Sequence, residues 1–262
     1  MSDTAQPAVT VEKAGDHIAL VTINRPEARN AVNGAVAQGL EKAVRDTEAD
    51  DDIWVVILTG AGEQAFCAGA DLKEVSAGRR GGIATEAGGF GGFVHMPRNK
   101  VWIAAVNGFA LAGGLEIMLR CDMSVASERA AFGLPEVMRG LVALAGGIYR
   151  LPRAIPRNIA MELIATGGRL DAKRAGEFGL VNRVVPHEKL IEEAKALAAT
   201  ICANAPLAVR ESLAVARQAY DLNDAELRRL SEEAGARNAR TEDYKEGPLA
   251  FVEKRAPRWK GR

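Results

Sequence analysis

The sequence lacks a surplus of either charge. Thirty-four Lys and Arg balance 34 Asp and Glu over 262 residues. No basic patch with interleaved aromatics argues for nucleic acid, and no cationic excess argues for an anionic membrane surface. A small anionic ligand stays open, because a few local Lys or Arg suffice to hold one. Cysteine and histidine are scarce, three of each. Cys67, Cys121 and Cys202 are scattered, without metal-ligand spacing, so a reduced, cytoplasmic setting is expected and no metal is. His17, His95 and His187 are dispersed and read as structural or surface residues. A long uninterrupted apolar run is also missing. The most apolar window, Val101 to Leu119, is broken by Asn107, three Gly and Glu116, which excludes a membrane span. The polar start, "MSDTAQPAVTVEKAGDH", lacks the order of a secretory leader.

What is present is ordinary globular material. Hydrophobic residues make up 48% and charged ones 26%, enough for a sizeable core. "HIALVTINRP" reads as a strand ended by Pro26. Val36, Leu40 and Val44 then recur every four residues, the stripe of an amphipathic helix. "IWVVILTG" and "VWIAAVNG" are continuous apolar runs, as in strands buried on both faces. "AGEQAFCAGADLKEV" reads as a loop and a helix, and "MSVASERAAFGLPEV" as a short strand and a turn. Residues 77 to 93 carry seven Gly and read either as a mobile lid or substrate wall or as a surface excursion. Helical patterns dominate from Arg157, broken by a strand at "GLVNRVVP", and Asn223 or Asp224 is a plausible N-cap. No internal sequence repeat is evident. The fold class is therefore α/β, with an all-helical C-terminus.

Two Gly-containing loops each follow a buried strand: "CAGAD" and "ALAGG" (residues 110 to 114). Backbone N–H groups converging from two such loops make an oxyanion hole, although a plain strand-to-helix turn has the same composition. Glu116 is more informative. An ionised carboxylate among Leu115, Ile117 and Met118 is costly unless something justifies it. Glu136 follows in "FGLPEV". Two carboxylates in a partly apolar pocket can divide acid and base roles. On residues alone, a buried salt bridge from Glu116 to Arg120 and an exposed loop for Glu136 compete with that reading.

Taken together, these segments resemble the enoyl-CoA hydratase, or crotonase, superfamily. "LTGAGEQAFCAGADLKE", "IAAVNGFALAGGLEIMLRCD", "AAFGLPEVMRGLVALAGGIYRLPR", "GRLDAKRAGEFGLVNRVVP" and "NAPLAVRESL" carry the likeness, over roughly residues 8 to 262. The tail "EDYKEGPLAFVEKRAPRWKGR" and "AGGFGGFVHM" are similar to carnitinyl-CoA dehydratases, a hydratase branch. The resemblance implies a spiral of ββα units in residues 1–200 and a helical trimerisation region in 201–262. It implies hydration of a trans-2-enoyl-CoA by Glu116 and Glu136, with the Ala70 and Gly113 N–H groups on the thioester oxygen. Ala28, Ala68, Ala70, Asp71 and Leu72 would contact CoA. Phe251 and Lys254 would reach the CoA of a neighbouring subunit in a homotrimer or hexamer. CoA enters as part of the substrate, and no further cofactor is implied. A carnitinyl-CoA dehydratase, an enoyl-CoA isomerase and a non-catalytic acyl-CoA-binding protein are the rival expectations. One departure stands out: Ala143 and Leu144 replace a common Pro-Gly pair, and Leu144 is expected to add apolar wall beside the water.

Overall fold

The computed structural model describes residues 6–76 and 80–262. In chain order these form β1 (Val9–Gly15), β2 (Ile18–Ile23), α1 (Gly34–Ala49), β3 (Val55–Gly60), β4 (Ala65–Cys67) and α2 (Leu72–Ser76). There follow β5 (Ala84–Thr85), β6 (Gly89–Phe90), β7 (Val101–Val106), β8 (Phe109–Leu111), α3 (Gly113–Met118), β9 (Met123–Ser127) and β10 (Ala131–Gly133). A 3₁₀ turn spans Pro135–Arg139, followed by α4 (Gly147–Ala154), α5 (Arg157–Thr166), β11 (Leu170–Asp171), α6 (Ala172–Glu177) and β12 (Arg183–Val185). Four helices complete the chain: α7 (Leu190–Cys202), α8 (Pro206–Ala216), α9 (Asp224–Asn238) and α10 (Glu242–Val252).

The large sheet has the order β1-β2-β3-β7-β9-β12 and is parallel from β2 onward. Its central strands are buried throughout, which is why they appear in the sequence as unbroken apolar runs. Side chains alternate between two cores, as the pleat requires. Val56, Leu58, Trp102 and Ala104 face one core with Val36, Leu40 and Val44 of α1. Val55, Ile57, Val101 and Ile103 face the other, with Leu190, Ala194 and Ala198 of α7. Val209, Leu213 and Trp259 from the helical C-terminus pack on that second core.

A second sheet has the order β11-β10-β8-β4, with β4, β8 and β10 parallel. The chain thus repeats one move three times: a strand of the large sheet, a short strand of the small sheet, then a helical turn. This is the ββα spiral of the crotonase fold. Because β4, β8 and β10 are parallel neighbours, their C-terminal ends lie along one edge. The loops after them are therefore brought together, although residues 67, 111 and 133 are far apart in sequence.

The Gly-rich segment departs from an unpaired loop. Residues 77–79 lie outside the described residues. From Arg80 onward it forms a 3₁₀ turn (Arg80–Ile83) and the β5–β6 hairpin, with Phe93 and Val94 fully buried. Further strands escaped the sequence reading: β1, in the polar N-terminal stretch, β4, in a segment read as loop, and the short β8, β10 and β11. Asn223 proves to be the N-cap of α9, in a complete capping box with Glu226.

Candidate active site

The first loop, residues 67–72, is tied to the turn at Pro26–Ala28. The Ala68 N–H donates to the Arg29 carbonyl (3.1 Å), and the Val32 N–H to the Gly69 carbonyl (2.8 Å). Arg25 holds Asp71 in an ion pair of 3.2 Å and also donates to the Ala31 carbonyl (2.7 Å). Buried Asn30 fixes the same turn, donating to the carbonyls of Ala61 (2.9 Å) and Ala65 (2.7 Å). The bridge between Val32 and Ala70 uses the flanking Gly69 carbonyl and Asp71 N–H, and leaves the Ala70 N–H out of it. Ala28, Ala68 and Ala70 are half-buried beside one another's turns, and Leu72 is exposed.

The second loop opens α3. Its N-cap, Ala112, has φ 51° and ψ −129°, a backbone state that L side chains resist. Such stored strain marks a position held by its surroundings. Gly113 follows, with a first-turn N–H that has no partner inside the helix. The two loops touch: a β-carbon on Gly69 would stand 3.1 Å from the Gly113 nitrogen. The structure therefore brings together the Ala70 and Gly113 loops named from sequence.

Glu116 lies one turn further along α3 and is 3% exposed. Its Oε1 accepts a 2.8 Å hydrogen bond from the Gly147 N–H at the start of α4. Burial pushes its pKa up, while the backbone N–H groups of Gly147, Ala145 and Gly146 and the charge of Arg150 pull it back. The salt bridge to Arg120 does not form. Arg120 points instead at the carbonyls of Val94 (3.1 Å) and Met96 (3.4 Å).

Glu136 sits in the turn after β10 and is half-buried rather than exposed. Its Oε2 is buried without a hydrogen-bond partner among the described residues. Burial first, and the negative charge of Glu116 second, raise its pKa to about 7, against its own backbone N–H and Arg139. Glu136 therefore feels the charge of Glu116, and each stands at the shared edge of β8 and β10.

Phe251 and Lys254 stand elsewhere. Phe251 is 85% exposed near the end of α10, Lys254 is exposed just beyond it, and neither bonds to α3 or the Glu136 turn among the described residues. Leu144 departs from expectation. Its side chain is 80% exposed, while Ala143 and Ala145 on either side are buried. The sequence reading missed the Gly147 donor. A signal was available: "ALAGG" occurs at residues 110–114 and again at 143–147, opening α3 and α4 in turn. Arg150 pins the second copy through the Ala145 carbonyl (2.9 Å). His17, stacked on Trp54, and His187, bonded to Ser127, are structural as expected.

Comparison with known proteins agrees with this geometry. Residues 13–262 match the enoyl-CoA hydratase/isomerase family. The chain is 39% identical to the mevalonyl-coenzyme A hydratase sidH of Aspergillus fumigatus, over 99% of this chain and 98% of that protein. It is also 39% identical to the carnitinyl-CoA dehydratase of Proteus mirabilis, over 92% of this chain and 94% of that protein. The crystal structure of enoyl-CoA hydratase from Mycobacterium tuberculosis H37Rv superposes with a TM-score of 0.93 at 44% identity, covering 98% of this chain and 100% of that one. The chain is an enzyme of the enoyl-CoA hydratase/isomerase family.

Proposed function

We propose that this enzyme adds water reversibly to a trans-2-enoyl-CoA, giving a 3-hydroxyacyl-CoA. One observation carries the reading: buried Glu116 and half-buried Glu136, in unequal surroundings, stand at the sheet edge where the loops of Ala70 and Gly113 meet. The thioester oxygen sits between the N–H groups of Ala70 and Gly113. Charge that develops there is stabilised by roughly 3–4 kcal/mol per donor, the magnitude found at other oxyanion holes. Glu116, whose pKa burial raises and three backbone N–H groups and Arg150 partly pull back, takes a proton from water as its oxygen bonds to C3. Glu136, whose pKa near 7 leaves a protonated share at neutral pH, gives its proton to C2. Dehydration runs the same steps backward.

CoA lies along Ala28, Ala68, Ala70, Asp71 and Leu72. The reaction is addition of water, a new C–O bond at C3 and a proton to C2, with no external oxidant or reductant consumed, so the CoA that arrives with the substrate is sufficient. The C-terminal helices assemble the protein as a homotrimer or hexamer. Exposed Tyr220, Tyr244, Leu249, Phe251 and Val252 are the support for this, being more apolar surface than a lone helical region keeps. In that assembly Phe251 and Lys254 complete a neighbour's CoA site. Free thiols at Cys67, Cys121 and Cys202 fit a cytoplasmic setting. The test is hydration of a panel of enoyl-CoA thioesters by wild type and Glu116→Gln. Turnover by wild type and its loss in the variant support the reading. Double-bond migration without hydration would replace it with an isomerase.

A further inference from the structure

The β5–β6 hairpin carries one aromatic side chain to the site. A β-carbon at Gly113 would overlap Cε1 and Cζ of the Phe90 ring. The ring therefore lies against the α-carbon of the residue whose N–H is aimed at the thioester oxygen. Phe90 is half-buried, so part of the ring faces open space. The ring is also firmly based. Gly91 and Gly92 adopt φ 65° and 63°, and a β-carbon on Gly92 would overlap the Ala37 carbonyl of α1. A β-carbon on Gly91 would stand 3.2 Å from Cδ1 of Ile117, one residue beyond Glu116. The Gly91 N–H donates to the Ile83 carbonyl (2.9 Å) and the His95 N–H to the Gly88 carbonyl (2.9 Å). The glycines thus serve close packing and seat one phenyl ring between α1 and α3.

Direction follows from the two sides of Gly113. The first loop, with Ala70 and Leu72, approaches on the side assigned to CoA. Phe90 arrives from the hairpin, which packs on α1 through Gly92 and on α3 at Gly113 and Ile117. Leu144, the wall expected from sequence, turns outward instead.

We propose that Phe90 is the end wall of the acyl pocket and sets the length of acyl chain this enzyme accepts. This rests on the acyl-CoA reading above. The test uses Phe90→Ala and the milder Phe90→Leu, each checked for native circular dichroism. Titration calorimetry with saturated butyryl-, octanoyl- and dodecanoyl-CoA reads chain-length preference without turnover. Phe90→Ala is expected to improve dodecanoyl-CoA relative to butyryl-CoA by at least about tenfold, with Phe90→Leu between it and wild type; pocket walls discriminate methylenes on this scale. An unchanged ratio in both folded variants overturns the proposal. Wild type that binds these thioesters yet hydrates no enoyl-CoA would refute the hydratase reading alone, since the binding ratio still reports on Phe90. Wild type that binds none of them would refute both.

Discussion

Glu116 Oε1 and the Gly147 N–H are 2.8 Å apart, and that bond joins α3 to α4 across the site. It aims the carboxylate from a second helix rather than from a neighbouring side chain. The opposite arrangement, a salt bridge, would neutralise the base. A backbone donor orients it and leaves it free to take a proton.

Glu116→Gln keeps shape and loses the carboxylate proposed as the base. Its turnover is expected to fall at least about 100-fold, the usual scale of acid–base catalysis. Binding of a saturated acyl-CoA is expected to survive. Stopped assays and calorimetry on the same preparation check both. Near wild-type turnover would remove Glu116 from the chemistry.

Gly147→Ala retains the N–H but places a methyl 2.8 Å from Leu134 Cδ2 and 3.1 Å from Glu116 Cγ. Leu134 must move aside, and Glu116 must give by a few tenths of an ångström. A displacement on the order of 1 Å costs up to about 100-fold in rate, so a smaller loss is expected here. The effect is expected in kcat, with KM altered less, and steady-state kinetics separate the two.

Glu136 ties activity and stability to pH. The proposed mechanism needs it protonated for hydration, so kcat/KM for hydration is expected to fall as pH rises through about 7. Its folded pKa lies above the ordinary 4.5. The folded state therefore binds the proton more tightly, and the associated stability is full below about 4.5 and lost as pH rises through about 7. Glu136→Gln should lose less stability than wild type between about pH 5 and about pH 8 in chemical denaturation. Equal losses would mean the side chain is solvated.

Much of this was legible in the sequence, for physical reasons. β3 and β7 are buried on both faces, so they stand out as apolar runs. Glu116 stood out because a carboxylate there is costly. The three-residue strands β4 and β10 did not, since no periodicity shows in three residues and their register comes from tertiary pairing. They align the loops, so the convergence of Ala70, Gly113 and Glu136 rested on the resemblance rather than on pattern. Gly147 was missed although "ALAGG" recurs there, because a backbone donor has no side chain to read. Phe90 was hidden because glycines around an aromatic look like a loop until their contacts are known.

Arg25→Ala removes the ion pair to Asp71 and the hydrogen bond to Ala31, and so loosens the loop assigned to CoA. KM is expected to rise severalfold for every acyl length, with kcat changed less, as for loss of uniform binding. A change confined to one chain length would place Arg25 at the acyl end.

Sedimentation velocity tests the assembly. A homotrimer or hexamer is expected for wild type, with Phe251→Ala weakening CoA binding only in the assembled protein. A stable monomer with full activity would contradict a shared site.

The most direct test is oxygen incorporation from isotopically labelled water. Purified enzyme would be offered short, medium, long and crotonobetainyl enoyl-CoA thioesters, with Glu116→Gln alongside. Label at C3 of the product from wild type, and none from the variant, is the expected result. Product without label, or equal labelling by both proteins, would contradict a hydratase that works through Glu116.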